Sequence, residues 1–130
     1  MCAMAQWSEV VQILLNSKVH TAAQVDANLV KIQMQTEKGR SQDVYVGHVN
    51  DLVTFRSVVC KLEAVNLAVL FKADFVANMP YGVGPVGEFL AIKHVQKLDT
   101  LDIGELAGPI AELAHFADYI EGALSGGDAF

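Results

Sequence analysis

The chain is poor in cysteine, proline and positive charge, and each shortage excludes something. Two cysteines, Cys2 and Cys60, stand in 130 residues. They are too few and too far apart for a disulfide framework or a thiolate metal site. Cys60 sits in an apolar run and reads as a small buried hydrophobe; Cys2 lies in a frayed end. The three prolines mark no linker. No apolar run approaches the roughly 18 residues that span a bilayer. Met1–Trp7 lacks the basic and apolar regions of a secretory signal, and nothing hydrophobic precedes Cys2 to make it a lipoprotein cysteine. The expectation is a cytoplasmic protein. Nine Lys and Arg face fifteen Asp and Glu, for a net charge of −6. The cations are scattered along the sequence, so nucleic acid and membrane surfaces are set aside as partners.

What is present is apolar patterning. Hydrophobic residues make up 52%, enough to exclude disorder, and the length suits one domain. The expected division is a single domain over 1–124 and a flexible tail over 125–130. Val10, Val11, Leu14 and Leu15 fall on one face of a short helix over Ser8–Leu15. Ser8 is a plausible cap and Trp7 a staple before it. Residues 16–27 are polar and small, and read as a weak helical continuation or a loop. Val30, Ile32 and Met34 then alternate with Lys31, Gln33 and Gln35, which predicts a half-buried strand. A polar Gly-containing turn leads to a second strand over Val44–Val49, Asn50-Asp51 gives a tight turn, and Leu52–Leu62 is a third strand. The three form an antiparallel meander.

From Glu63 the period turns helical. Val65, Leu67, Ala68, Leu70, Phe71, Ala73, Phe75 and Val76 make a helix that is apolar nearly all round, which must be buried or packed on two sides. Pro80 stops it. Tyr81–Gly87 reads as a Gly- and Pro-rich loop, and Glu88–Leu98 as a fourth strand. A long amphipathic helix follows over 103–124, with Ile110, Leu113, Phe116, Ala117, Ile120 and Leu124 on one face. Glu112, His115, Asp118, Tyr119 and Glu121 lie off that face. Asp102 and Glu105 suggest a capping box, and Pro109 favours a start near Gly108. The order α-β-β-β-α-β-α is α+β, an antiparallel sheet with helices on one side.

That order, with the loop Asn78-Met79-Pro80-Tyr81-Gly82 between the apolar helix and the late strand, resembles the type III secretion chaperones of the Tir-chaperone (CesT-like) class and the related YbjN-type domains. The resemblance covers nearly the whole chain and rests on element order, size and acidity. The chaperones usually have two late strands, whereas here only Phe89–Val95 is clear. The resemblance implies a homodimer without enzymatic activity or cofactor that holds an extended segment of a client over apolar patches and sheet edges. No residue matches a family signature, so no role is carried over.

No catalytic or metal-binding set emerges. Gly82-Val83-Gly84-Pro85-Val86-Gly87 matches G-x-G-x-x-G, but a helix precedes it and a strand follows. The dinucleotide fingerprint needs the reverse order, so a turn into a strand is the better reading. His20, His48, His94 and His115 lack metal-ligand spacing; His48 and His94, both on strands, are the pair that a sheet could bring together. Asp99, Asp102, Glu105, Glu112, Asp118 and Glu121 read as a solvated helix face rather than an acid–base pair. No serine stands in a G-x-S-x-G context. The apolar helix is the most informative feature, and Leu67, Leu70, Phe71 and Asp74 are the expected dimer interface. The rival class is a small-molecule or enzymatic domain, with a pocket by the Tyr81–Gly87 loop lined by Tyr45, Tyr81 and His94.

Overall fold

The computed structural model describes residues 5–17, 20–36, 40–72, 76 and 78–126, with side chains as far as 122. Helix α1 is Trp7–Asn16 and strands β1 to β4 are Thr21–Asp26, Leu29–Gln35, Ser41–Val49 and Leu52–Lys61. Helix α2 is Leu67–Lys72, strands β5 and β6 are Gly82–Val86 and Phe89–Lys97, and helix α3 is Ala107–Gly126. The six strands form one antiparallel sheet in the order β1-β2-β3-β4-β6-β5. The α+β class is as the sequence predicts, with two strands more than expected.

The first is β1, in the segment read as loop or helix. Ala22, Ala23 and Gln24 carry no apolar alternation, and the strand is mostly exposed. Its pairing with β2, Ala22 opposite Ile32 and Gln24 opposite Val30, supplies what local propensity lacks. The second is β5, expected as part of a loop. Its Val83 lies opposite Ile92, and Val86-Gly87-Glu88-Phe89 closes a two-residue hairpin. Gly87 takes φ +60° there, a conformation open to glycine without strain. Asn50, at φ 56°, plays the same part in the expected Asn50-Asp51 turn.

Alternation divides the sheet into two faces. Val30, Ile32, Val44, Val46, Val53, Phe55, Leu90 and Ile92 are buried on the face covered by α1 and α3. Helix α3 meets them with Ile110, Leu113, Ala114, Ala117 and Ile120, and α1 with Val10, Val11 and Leu14. Burying each of the valine, leucine, isoleucine and phenylalanine side chains stabilises the fold by about 1.5–3 kcal/mol. Helix α3 starts at Ala107 with Pro109 in its first turn, where a missing N–H costs nothing. Asp102 accepts from the Gly104 N–H at 2.9 Å, which starts a short 3-10 turn over Ile103–Glu105 ahead of the helix.

Helix α1 begins before Ser8. The Glu9 carboxylate accepts from the Gln6 N–H at 3.1 Å, and Trp7 is fixed twice. Its Nε1 donates to the Ala27 carbonyl at 2.8 Å, and its ring stacks on His48 with centroids 5.2 Å apart. Helix α2 differs most from expectation. The described helix has six residues, and Leu70 alone among them is buried. Leu67, Val69 and Phe71 are 39%, 39% and 50% exposed. Residues 73–75 and 77 lie outside the described set. No helix of the described residues is long and apolar enough to cross a membrane.

Candidate functional site

The expected pocket does not assemble as a unit. Tyr81 and His94 meet edge to face, with ring centroids 5.2 Å apart and planes at 80°. Tyr45 is on the other side of the sheet. It pairs with Arg56, which pairs with Lys93, and that row points away from the helices. His94 pairs with Phe55, which pairs with Val46, in the row that points toward them. Register decides this, since neighbouring residues on a strand take opposite faces.

Tyr81 is tied down on three sides. Phe116 of α3 approaches its ring at 6.0 Å, His94 is the second ring against it, and the phenol donates to Glu112 Oε2 at 2.5 Å. Burial, then the hydrogen bond and the charge of Glu112, hold the phenol protonated far above its ordinary range. Burial pushes His94 below its ordinary value. The pair is therefore a protonated phenol and a neutral imidazole, with the phenolic proton already committed. Beside it a concavity of about 390 Å³ is lined by Tyr81, Gln96, Asp102, Glu105, Pro109 and Glu112.

A second groove of about 480 Å³ runs along the outer side of α3, between Arg40, Ala111, His115, Phe116 and Tyr119. Its end is set by an ion pair between Arg40 and Asp118, with Nη2 to Oδ2 at 2.8 Å. Asp118 was expected off the core face, yet its side chain is only 9% exposed. The aliphatic pattern of α3 could not reveal this, because the partner is 78 positions away. Glu121, one turn on, is pushed up by burial and by the Asp118 charge, with Arg40 opposing.

Other sequence candidates disperse. His48 stacks on Trp7, His20 contacts the Leu14 carbonyl at 3.2 Å through Nε2, and His115 is exposed on α3. His48 and His94 share the covered face, but each faces a different aromatic partner. Among the described residues no group of three or more His, Cys, Asp and Glu is placed to hold a metal ion. Gly82–Gly87 forms β5 and its turn, so no helix N-terminus follows to receive a phosphate. The Ser57 hydroxyl donates to the Asp43 carbonyl at 2.7 Å, and burial pushes the Cys60 thiol up, with the Glu121 charge adding to it. Neither is an activated nucleophile. Of the expected interface residues, Leu70 packs into the chain's own core while Leu67 and Phe71 stay at the surface; Asp74 lies outside the described residues. No family model and no curated protein sequence matches the chain.

Proposed function

We propose that the chain is a non-enzymatic protein-binding module that works as a homodimer and holds an extended segment of a client protein. The observation that carries this reading is the exposure of Leu67 and Phe71, four residues apart on one side of α2, with Val69 exposed on its other flank. The neighbouring pair Leu67 and Phe71, left uncovered by the chain's own core, favours contact with another protein surface. Two further features support it. Among the described residues β1 ends the sheet with an unpaired edge, which offers backbone donors and acceptors to an added strand. The β5–β6 hairpin supplies the second late strand that the secretion chaperones have and that the sequence did not make clear. Strand β1 is an addition to the order shared with them.

Light scattering coupled to size exclusion tests the dimer. The expected mass is twice 14.0 kDa, falling to 14.0 kDa in Phe71→Lys with the fold retained. Leu70→Lys instead loses the fold, because that side chain is fully buried. A wild-type monomer would sink the dimeric reading.

A second reading, a small-molecule or enzymatic domain, is favoured by one observation: Tyr81 and His94 converge beside the 390 Å³ concavity. Ligand-detected NMR with a mixture of small metabolite-like compounds separates the two, since binding abolished by Tyr81→Ala would support this alternative.

A further inference from the structure

Cations scattered along the sequence gather in the fold. The strands β2 to β6 contain five basic residues, Lys31, Arg56, Lys61, Lys93 and Lys97, and one acid, Asp43. All six side chains belong to the face that the helices leave open. Lys31, Tyr45, Arg56 and Lys93 form one transverse row. Lys97 shares its position with Leu52 at one end of the β4–β6 pair, and Lys61 with Phe89 at the other. Among the described residues only Lys31 of this set is ion-paired, to Asp43 at 3.6 Å. Lys93 Nζ reaches the Pro85 carbonyl at 3.5 Å. Of the acids on α3, Glu112 and Asp118 lie behind the sheet, while Glu121 lines a concavity of about 460 Å³ together with Asp43, Tyr45, Val58 and Phe89. Screening, with a Debye length of about 8 Å at physiological salt, lets the two sides act separately on a bound chain.

The face is also periodic. Along β6 the open side reads Lys97, Val95, Lys93, Ala91, Phe89, where Val95 is 51% exposed and Ala91 is fully buried. Along β4 beside it, Lys61, Val58, Arg56 and Thr54 continue the alternation of charged and uncharged groups. From the Leu52–Lys97 pair to the Lys61–Phe89 pair is about 26 Å along β6 at roughly 3.3 Å per residue.

We propose that this open face binds an acidic, extended segment of a partner protein laid along β4 and β6, with an acidic residue at about every fourth position and apolar residues midway. The proposal rests on the protein-binding reading above and names its partner chemistry. Charge complementarity selects an anionic occupant, and the apolar positions between the cations select a peptide. A single-stranded nucleic acid instead needs a series of aromatic platforms, and this face offers Tyr45 with Phe89 at its margin.

Fluorescence anisotropy with the full chain and a labelled peptide of Glu-Ser-Leu-Ser repeats tests this. The peptide is expected to bind, more weakly as NaCl rises from about 50 to about 300 mM. Lys93→Gln combined with Lys97→Gln should weaken binding roughly three- to ten-fold, while Lys72→Gln on α2 leaves it unchanged. Circular dichroism confirms that the variants fold, and Arg56→Gln with Lys61→Gln gives an independent pair. Equal binding of a Lys-Ser-Leu-Ser peptide, tighter binding of a labelled oligothymidylate, or indifference to both variant pairs overturns the proposal. Absence of any binding by a chain that light scattering still finds dimeric overturns this inference alone, whereas a monomer sinks the dimeric reading itself.

Discussion

Arg40, just before β3, closes a 2.8 Å ion pair with Asp118 in the middle of α3, and the two ends of that pair see different surroundings. The arginine side chain is 51% exposed and the aspartate 9%. The consequences of removing either partner are therefore unequal. Without Arg40 a buried carboxylate is left uncompensated, whereas without the Asp118 charge the guanidinium still reaches water. Arg40→Met is expected to cost about 1–3 kcal/mol and Asp118→Asn less than about 1 kcal/mol. Urea unfolding curves at neutral pH would show equal losses if the asymmetry is absent.

The same pair depends on a missing side chain. A Cβ on Gly122 would come within 3.3 Å of Arg40 Nη1, while one on Gly108 would meet nothing within 4 Å. Both glycines are in α3, where alanine is favoured by about 0.5–1 kcal/mol. Gly108→Ala should deliver less than that gain, because Pro109 follows it and disfavours helical backbone on a residue with a Cβ, and Gly122→Ala should fall short of it by whatever the displaced guanidinium loses. Combining Gly122→Ala with Arg40→Met should restore the shortfall. Thermal melts of the three variants check this; strict additivity would dissociate Gly122 from the pair.

Acid should act on the protein in two opposite ways. His94 is pushed below its ordinary value of 6.5 by burial, so its contribution to stability is present above pH 6.5 and is lost as pH falls through the lower folded value. His94→Phe should flatten that loss. Glu121 is pushed above its ordinary 4.5. Its contribution is present below pH 4.5 and is lost as pH rises through the higher folded value. Glu121→Gln should therefore be more stable than the parent at pH 7, with the difference closing below pH 4.5. Denaturant midpoints measured from pH 4 to pH 8 decide both, and a parallel shift at all pH values would count against them.

Legibility in the sequence followed the strength of local pattern. Val30, Ile32 and Met34 announce β2 because a period of two is visible in the residues themselves. Asn50-Asp51 and the start of α3, with Pro109 in its first turn, are legible because turn and proline preferences reside in single residues. Strand β1 was not, because Ala22 to Gln24 become a strand only through pairing with β2. Strand β5 was hidden by Gly82, Gly84 and Pro85, which lower strand propensity and find their place against β6. The candidate site was harder still. That Tyr81 meets His94 follows from the β5–β6 hairpin and the docking of α3, and that Tyr45 does not follows from register. The gathering of Lys31, Arg56 and Lys93 into one row needed three strand registers at once, and no spacing along the chain encodes it.

The two margins of the sheet are unlike, and this bears on how copies of the chain could associate. The outer strand β5 holds Pro85, which has no N–H to offer, and the Lys93 ammonium sits at its carbonyl. Strand β1 has no proline in its six residues. A client strand added at β1 fills the one receptive margin and leaves the guarded one outward. Edge-to-edge growth through both margins is thereby blocked, and the fold resists the open-ended polymerisation that a sheet with two receptive margins invites.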